Sequence, residues 1–408
     1  MQLKVVVLLN SMLLIHLFTH TLLLSVEIAL LAPMLYLMTL SVAALAQRQQ
    51  HTTDHILGTR FALLVPAHNE EAVLGDFFAS LRELSYPDAL VEVHLVADNC
   101  TDTTADISRE AGAFVYERHN ERDRGKGHAL RWLLTQLDAA GREYDAYVII
   151  DADSQVSPNF LNEMNAQLQA GQQIIQSQYR VQNSQEAWTA GLRSVAFALF
   201  NHLRPLGRTA LGWSSGLKGT GMCFSAEVVR RFGWKSFSLT EDVEYHVELV
   251  KAGLRVAYAP TAIVWSAMPT SLKQAQSQQM RWERGRLELV RRHVPHLLWQ
   301  TLRTGNTALF DAAMEIITPP LSVLVGLILL CGVSAFLLPS YLGMLLALAL
   351  LAELTTYVLI GLWLAHLPLA AYRSLLFAPA YIAWKLWLYL AALVSPGERR
   401  WVRTSRQS

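Results

Sequence analysis

Residues 147–154 read YVIIDADS, an apolar run that ends in two aspartates, Asp151 and Asp153. A short apolar run of this kind predicts a buried strand. A strand ending in Asp-x-Asp points two carboxylates into the crevice at the sheet edge where α/β folds bind ligands. Hard cations such as Mg²⁺ are held by one or two carboxylates together with substrate phosphates. We therefore predict that both aspartates bind Mg²⁺ or Mn²⁺ beside a diphosphate; two solvated turn acids are the alternative.

Strand and helix patterns alternate upstream of this stretch, from about residue 60 onward. Apolar runs predict strands at 61–66, 91–98, 113–116 and 147–151, and apolar residues at helical spacing predict helices at 71–84, 103–111 and 128–137. This alternation predicts an α/β fold, a Rossmann-like domain whose mostly parallel sheet is covered by helices on both faces. The carboxyl ends of the strands should then meet and form the ligand site.

Polar groups follow the first two predicted strands as well. The first loop carries Ala67, His68 and Glu70, and the second carries Asp98 and Asn99. Carboxylates and backbone amides at these positions suit recognition of a base and a ribose. Asn, Asp and Thr are also preferred at helix N-termini, so plain capping is the alternative for each loop.

Residues 125–127, Gly-Lys-Gly, precede the helix predicted at 128–137. Two glycines allow close backbone approach, and a helix N-terminus favours anions, so Lys126 is a candidate phosphate contact. The segment is not a Walker loop, because Gly-x-x-x-x-Gly-Lys-[Ser/Thr] is absent. A bare turn is the alternative.

Two further polar segments follow in the second half of the domain. Asp242 lies in the Thr-Glu-Asp sequence that opens a predicted helix, where it either caps the helix or accepts a proton as a general base. Gln278, Arg281 and Trp282 lie in a basic segment typical of an amphipathic helix on a membrane surface. That placement would still let Arg281 meet a diphosphate and Trp282 stack on a sugar.

The two ends of the chain are apolar and the middle is not. Of the 408 residues, 52% are hydrophobic and 16% are charged, whereas roughly a quarter are charged in ordinary soluble proteins. We predict a membrane segment of one or two helices at 1–46, a cytoplasmic domain at 47–293 with an interfacial helix near 271–293, and a membrane region at 294–394. A net charge of +1 gives no reason to expect nucleic-acid binding, and three scattered cysteines predict reduced thiols rather than disulfides.

The C-terminal region predicts a multi-pass topology. Residues 321–338 and 342–365 suit membrane spans, whereas 372–394, with basic and aromatic residues, suits either a span or the lipid–water interface. Arginines in the tail, 395–408, place it in the cytoplasm by the positive-inside rule. Two spans plus an interfacial helix keep the domain and the tail on one side of the membrane. A signal peptide ending at 44–46 is the alternative for the N-terminus, although the apolar stretch exceeds the length such peptides need.

The order of these residues resembles the membrane-bound glycosyltransferases of family 2, which include cellulose, chitin, hyaluronan and poly-N-acetylglucosamine synthases and ceramide glucosyltransferase. The shared pattern across most of residues 60–290 reads here as Asp98, Asp151-x-Asp153, Asp242 and Gln278-x-x-Arg281-Trp282. The resemblance implies a GT-A fold and an inverting, metal-dependent transfer of a sugar from a UDP-sugar to a polysaccharide or lipid-linked acceptor. It also implies a place in the bacterial inner membrane, with the catalytic domain in the cytoplasm.

The resemblance assigns a role to each matching residue. Asp242 would be the catalytic base, and Asp151 and Asp153 would bind Mg²⁺ or Mn²⁺ and the diphosphate. The remaining nucleotide and donor contacts would be Ala67, His68, Glu70, Asp98, Asn99, Lys126, Gly219, Thr220, Gly221, Gln278, Arg281 and Trp282. The tail residues Trp401, Thr404 and Arg406 are similar to a segment that closes over the nucleotide in some members. Expected partners are a UDP-sugar, a polysaccharide or lipid acceptor and membrane lipid, without nucleic acid; partner subunits stay open.

The small membrane part departs from the large synthases, which leaves single transfers open beside polymer extension. A single-transfer glycolipid synthase is therefore one alternative. A non-catalytic nucleotide-binding or transport protein is another, although a transporter should have more spans and polar helices at the bilayer midplane.

Overall fold

The computed structural model describes residues 2–47 and 56–394, with side chains from residue 14 onward in those ranges. The strands in the described residues are β1 (Phe61–Ala67), β2 (Val91–Asp98), β3 (Phe114–Arg118), β4 (Ala146–Ile149), β5 (Ser154–Val156), β6 (Ile174–Val181), β7 (Met222–Ser225) and β8 (Ala257–Ser266). The helices are α1 (Gln2–Ala46), α2 (Leu74–Arg82), α3 (Thr104–Glu110), α4 (Lys126–Ala139), α5 (Phe160–Gln169), α6 (Trp188–Ala198), α7 (Arg204–Ala210), α8 (Ala226–Phe232), α9 (Glu241–Lys251), α10 (Leu272–Thr304), α11 (Thr307–Ile317), α12 (Leu321–Leu337), α13 (Tyr341–Leu364), α14 (Leu369–Ser374) and α15 (Ala378–Val394). Short 3₁₀ turns occupy Asp88–Leu90 and Leu375–Phe377, and a π-helical turn occupies Leu199–Leu203.

The strands form one sheet in the order β3-β2-β1-β4-β7-β6-β8-β5. The first four are parallel, since β1 pairs in parallel with β2 and β4, and β2 with β3. β7 runs antiparallel between β4 and β6, while β8 is parallel to β6 and antiparallel to β5. The predicted α/β class with a mostly parallel sheet is confirmed, and β5 to β8 lie beyond the strands that the sequence patterns indicated.

The composition of β1 explains why helices cover the sheet on both faces. Phe61, Leu63 and Val65 belong to one hydrophobic core, which α2, α3 and α5 complete, and Ala62 and Leu64 belong to the other, which α4, α8 and α9 complete. Successive side chains of a strand point to opposite faces. A continuous apolar run is therefore what a strand buried on both faces requires.

The acidic turn after β4 lies at the carboxyl edge of the parallel strands. β4 ends at Ile149, so the strand is shorter than the predicted 147–151 and Asp151 lies beyond it. The Ser154 amide donates to the Asp151 carbonyl oxygen at 3.0 Å and closes a tight turn. That turn, rather than the strand, sets the direction of the two carboxylates.

The N-terminal segment forms one helix rather than two, because α1 is continuous over 45 residues. Its part from residue 14 to residue 46 is long and apolar enough to cross a membrane. It packs on α7, where a Cβ added to Gly207 would lie 2.2 Å from the Leu40 carbonyl oxygen. The lack of a side chain at Gly207 thus lets α1 dock closely on the α/β domain.

Three helices in the described part of the chain are long and apolar enough to span a membrane: Leu14–Ala46, Tyr341–Leu364 and Leu369–Val394. A fourth candidate joins α11 and α12, which are bent by 74° at the break between them. The span predicted at 321–338 corresponds to α12. With 17 residues, α12 is long enough to cross a membrane only together with α11. The segment at 372–394, which suited either a span or the interface, has the length and composition of a span together with α14.

The domain boundary predicted at 293/294 falls inside α10, which continues without a break through Pro295. Proline disfavours helix interiors because it lacks a backbone donor. Here packing outweighs that cost, since Leu289, Val294 and Leu297 are buried in a core shared with α9 and α11. One helix thus runs from the α/β domain into the segment predicted to lie in the membrane, and the position of the domain boundary stays a prediction.

Candidate active site

A cavity of about 1480 Å³ opens at the carboxyl ends of the parallel strands. It brings together most of the residues singled out in the sequence, from loops and helices spread along the chain. They are Ala67, His68, Glu70, Asp98, Asn99, Lys126, Asp151, Asp153, Gly219, Asp242, Gln278, Arg281 and Trp282. A second cavity of about 630 Å³, at the opposite ends of the strands, contains none of these residues.

The loops after β1 and β2 are braced by two asparagines in left-handed backbone conformations. Asn69 has φ of 57°, and its Oδ1 accepts from the Thr101 amide at 2.7 Å. Asn99 has φ of 53°, and its Oδ1 accepts from the Asn120 amide at 2.8 Å. Asparagine tolerates this conformation better than most residues, because its short polar side chain bonds to nearby backbone. The first contact holds the loops after β1 and β2 against each other, and the second ties the loop after β2 to the segment that follows β3.

Asp98 is buried and already carries a strong partner. Arg118 Nη1 donates to Asp98 Oδ1 at 2.5 Å, and Asn99 Nδ2 donates to the same oxygen at 3.0 Å. His68 Nδ1 lies 2.7 Å from the Asp98 carbonyl oxygen. Asp98 therefore does not cap the helix that follows β2. Its carboxylate is fixed at the edge of the cavity by charge-assisted hydrogen bonds.

Lys126 joins the candidate phosphate loop to the acidic turn. Its Nζ donates to Asp151 Oδ1 and to the Gly219 carbonyl oxygen, each at 2.5 Å. Although burial lowers it, the carboxylates of Asp151 and Glu241 raise the pKa of Lys126 overall. Lys126 is thus a protonated ammonium at neutral pH, placed where its positive charge could pair with a phosphate group.

The acidic turn fits a divalent cation only with further oxygen ligands. Burial raises the pKa of the Asp151 carboxyl; Lys126 opposes this effect and Asp153 adds to it. In residues 2–47 and 56–394, no group of three or more His, Cys, Asp or Glu side chains is arranged to hold a metal by itself. Two carboxylates, Asp151 and Asp153, match the way Mg²⁺ is held by one or two carboxylates plus substrate phosphates. The cation would therefore bind jointly with a diphosphate.

Only Gly219 of the predicted donor loop 219–221 lines the cavity. Thr220 lies behind it, where its Oγ1 accepts from the Asp151 amide at 3.1 Å. Gly221 has φ of 65°, and a Cβ there would lie 1.9 Å from Ser177 Oγ. Thr220 thus supports the acidic turn and Gly221 packs closely on Ser177 of β6, and neither residue faces the cavity.

Asp242 faces the cavity at the start of α9. A Cβ added to Gly219 would lie 3.5 Å from Asp242 Oδ2, an ordinary van der Waals distance, so this carboxylate lies directly beside the Gly219 backbone. Burial raises the pKa of Asp242, and it raises that of its neighbour Glu241 to about 7. A carboxylate with a raised pKa is a better proton acceptor. Glu241 also lines the cavity, and its only sequence signal is its place beside Asp242.

The Gln-x-x-Arg-Trp motif forms one face of α10, as residues three and four apart do on a helix. Gln278 Oε1 accepts from Arg193 Nη1 at 3.1 Å. Arg281 is close enough to favour ionisation of Asp151, and its Nε has no hydrogen-bond partner among the described residues. The helix also contacts α11 and α15, so the predicted interfacial helix is covered by membrane-region helices.

A buried ionic cluster under the site was missed by sequence reasoning. Arg208 lies 3.0 Å from Asp311 and 2.8 Å from Glu315, and both carboxylates belong to α11. Lys218 Nζ donates to Glu315 Oε1 at 2.7 Å, and Tyr36 donates to Asp311 at 2.7 Å. The available signal was a pair of acids four residues apart in an otherwise apolar segment.

The tail residues Trp401, Thr404 and Arg406 lie outside the described residues. The suggestion that they close over a nucleotide stays a prediction.

A mixed α/β sheet with an Asp-x-Asp turn, a cationic loop and an acidic helix start around one cleft defines a GT-A glycosyltransferase. Residues 59–285, more than half of the chain, match the family described as "Glycosyltransferase like family 2". The chain belongs to this family, and the predicted resemblance is confirmed.

Two curated relatives are similar to this chain over much of its length. It is 26% identical over 238 residues to "Probable glycosyltransferase YdaM" of Bacillus subtilis (strain 168), over 55% of each chain. The match thus spans about half the length of that relative. It is 24% identical over 294 residues to "Poly-beta-1,6-N-acetyl-D-glucosamine synthase" of Staphylococcus aureus (strain COL), over 70% of this chain and 68% of that one.

A solved structure supports the fold over nearly the whole chain. The mannosyltransferase PcManGT from Pyrobaculum calidifontis, in complex with GDP-Man and Mn²⁺, matches with a TM-score of 0.53 and 18% identity. The match covers 92% of this chain and 100% of that one. At this identity the likeness establishes the shared fold.

Proposed function

We propose that this protein is an inverting glycosyltransferase that moves a sugar from a UDP-sugar to a polysaccharide or lipid-linked acceptor at the cytoplasmic face of a bacterial plasma membrane. One observation carries the proposal. Asp242 and the Lys126–Asp151 pair line a single cavity that continues between α10, α12, α13 and α15. Donor chemistry and a route for a membrane-borne acceptor therefore meet in one space.

The donor would lie along the carboxyl ends of β1, β2 and β4. The loops holding His68, Glu70 and Asp98 would take the base and ribose, and Lys126 would take the diphosphate. Asp151 and Asp153 would hold Mg²⁺ or Mn²⁺, which when bound neutralises charge on the leaving diphosphate.

The reaction we propose is one in-line displacement. An acceptor hydroxyl oxygen forms a bond to the anomeric carbon while the bond from that carbon to the diphosphate oxygen breaks, so the configuration inverts. Asp242 accepts the hydroxyl proton. Arg281 and Lys126 stabilise the charge that develops on the diphosphate, an effect strengthened by their fixed positions in a part-buried site.

Two nucleobases, uracil and guanine, are candidates for the nucleotide of the donor. Uridine follows from the resemblance to the membrane-bound synthases, whereas the PcManGT structure of the same fold holds GDP-Man. A donor screen should therefore compare UDP-sugars with GDP-sugars. A single transfer to a lipid is the second candidate, and the continuation of the cavity between the membrane helices favours it.

The test uses the purified full chain in a neutral detergent. Thermal-shift titration with UDP or GDP, each with and without Mn²⁺, should show stabilisation by one nucleotide that depends on the metal. Mass analysis after incubation with the matching sugars and extracted lipids should then show the transferred hexose. No metal-dependent stabilisation by either nucleotide would contradict the proposal.

The proposed role of Asp242 as the catalytic base is tested by the substitution Asp242→Asn. We expect a fall in transfer rate of about 10²–10⁴-fold, with donor binding unchanged, because the amide cannot accept the proton. Asp106→Asn is the matched control, since Asp106 is an exposed acid that pairs with Arg109 on the surface. A full transfer rate in Asp242→Asn would remove the base assignment.

A further inference from the structure

The half of the cavity between the membrane helices is lined by positive charge that the transfer reaction does not use. Its apolar walls include residues of α12, α13 and α15. Its charged lining residues are Arg193, Arg204, Lys218, Glu283, Arg286, Glu315 and Lys385.

Both acidic residues of this half are already engaged by lysines. Glu283 Oε1 accepts from Lys385 Nζ at 2.6 Å. Glu315 Oε1 accepts from Lys218 Nζ at 2.7 Å. Within residues 14–47 and 56–394, none of the three arginines of this half forms an ion pair with a carboxylate. The lining therefore carries three guanidinium groups in excess of its carboxylates.

Arg193, on α6, is the most buried of the three, with 2% of its surface exposed. Its Nη1 donates to Gln278 Oε1 at 3.1 Å and lies 3.7 Å from Met268 Sδ. Its Nε and Nη2 have no hydrogen-bond partner among the described residues. Burial lowers the pKa of Arg193, and the groups that oppose this effect are two neutral tyrosines, Tyr381, which also interacts with Arg193 by a hydrogen bond, and Tyr179.

Arg204 and Arg286 complete the positive surface from two other helices. Arg204 is 5% exposed, and its Nε donates to the Tyr357 hydroxyl at 2.8 Å. Arg286 Nε donates to the Ile316 carbonyl oxygen at 3.2 Å, while its Nη2 has no partner among the described residues. Both guanidinium groups are thus held in place by neutral acceptors.

Buried charges in proteins are normally paired, because an isolated ion loses its hydration without compensation. Guanidinium groups match phosphate oxygens in geometry and are the usual partners of phosphate in buried sites. Resting on the glycosyltransferase function proposed above, we propose that Arg193, Arg204 and Arg286 form a binding subsite for the phosphate group of a lipid acceptor. The apolar walls between candidate membrane spans suit the acyl or alkyl chain of the same molecule.

The hydrogen bond between Arg193 and Gln278 joins this subsite to the donor motif. Gln278 belongs to the same helix face as Arg281, which lies near the acidic turn. An acceptor anchored by its phosphate would present a headgroup hydroxyl towards Asp242. That hydroxyl would lose its proton to Asp242 as its oxygen bonds to the anomeric carbon and the nucleoside diphosphate leaves.

Binding of hexadecyl phosphate to the full chain in neutral detergent tests the subsite, with tryptophan fluorescence as the readout. Hexadecyl phosphate should bind at least about tenfold more tightly than hexadecanol, because charge-assisted hydrogen bonds form only with the phosphate. Arg193→Gln and Arg286→Gln should each remove most of that difference. Arg193→Lys should restore part of it, since it keeps the charge without the planar fork.

Arg291→Gln is the matched control, because Arg291 is an exposed arginine on the same helix as Arg286. It should leave the phosphate preference intact, which separates specific binding from attraction of the anion to a positive surface. Equal binding of hexadecyl phosphate and hexadecanol, or an unchanged preference in both glutamine variants, would overturn the subsite. Displacement of hexadecyl phosphate by an equal concentration of inorganic phosphate would overturn its assignment to a lipid.

Metal-dependent nucleotide binding, measured on the same samples, separates this inference from the proposed function. Absence of the phosphate preference in the parent chain, with its nucleotide binding intact, would overturn the subsite alone. Failure of every variant and of the parent chain to bind a nucleotide would overturn the glycosyltransferase proposal, and the subsite with it.

Discussion

Lys218 Nζ donates to Glu315 Oε1 at 2.7 Å, a buried contact between the loop beside the acidic turn and helix α11. The residue after Lys218 is Gly219, whose carbonyl oxygen accepts from Lys126. Glu315 also pairs with Arg208, so one carboxylate of α11, in the region predicted to lie in the membrane, compensates two buried cations of the family-matched region 59–285. The two regions therefore share one electrostatic unit, and the active-site loop depends on α11 for its position.

This unit predicts the effect of Glu315→Gln. The amide cannot compensate Lys218 and Arg208, and breaking a buried ion pair on one side costs about 3–5 kcal/mol. We expect a marked fall in the thermal unfolding temperature in detergent together with loss of transfer. The double variant with Lys218→Met should recover part of that stability, because one uncompensated cation is gone. Purely additive losses in the double variant would contradict the coupling.

The Lys126–Asp151 contact predicts weak metal binding in the absence of nucleotide. Lys126 places a positive charge on the carboxylate that the metal would use. Lys126→Met should raise Mn²⁺ affinity without nucleotide by about tenfold, a change of about 1.4 kcal/mol, and should weaken nucleotide binding. Titration followed by Mn²⁺ spin resonance measures the first effect. Lys235→Met, at an exposed lysine, should change neither affinity.

We expect alanine to destabilise the protein more at Gly221 than at Gly141. Gly221 and Gly141 have nearly equal φ values, 65° and 63°, so alanine is strained at both positions by about 1–2 kcal/mol. Only Gly221 is crowded, with Ser177 Oγ 1.9 Å from the added Cβ, whereas nothing lies within 4 Å at Gly141. Gly221→Ala should lower the unfolding temperature well beyond Gly141→Ala and abolish transfer. Equal shifts in the two variants would show that the backbone adjusts freely.

His94 predicts a loss of stability in mild acid. Burial lowers its pKa from 6.5 to about 4; Arg142 adds to the effect and Glu92 opposes it. Since the folded pKa lies below the unfolded one, the unfolded chain binds the extra proton first. The contribution of neutral His94 to the free energy of unfolding is therefore complete above pH 6.5 and is lost as the pH falls towards 4. Each unit of difference between the folded and unfolded pKa corresponds to about 1.4 kcal/mol.

Unfolding temperatures between these pH values measure that effect, and His94→Gln should flatten their dependence on pH. Gln can still bond to the Tyr144 hydroxyl, which lies 2.7 Å from His94 Nε2. An unchanged slope in this variant would assign the pH dependence to other groups.

Much of the site followed from local sequence patterns. Asp98, Asp151 and Asp242 each stand where an apolar strand ends or an amphipathic helix begins. In a parallel sheet such positions meet at one edge whatever the details of packing. The order of these residues, together with Gln278 and Arg281, therefore predicted the class of site before any distance was known.

Other features depended on packing that no local pattern encodes. Thr220 and Gly219 are neighbours in sequence, yet one supports the acidic turn from behind and the other lines the cavity. Buried contacts likewise carry α10 through Pro295, past the boundary predicted at 293/294.

The sequence by itself determined the fold class, the family and the residues at the strand ends, because apolar periodicity and strand termini act over a few residues. Tertiary structure decided which charges meet. Glu315 and Lys218 are 97 positions apart, and Arg193 and Gln278 are 85 positions apart. A buried charge needs a partner, but its sequence neighbours do not specify which one. Only the docking of α6, α10 and α11 brings the partners together, and leaves Arg193 facing a cavity without a carboxylate to pair it.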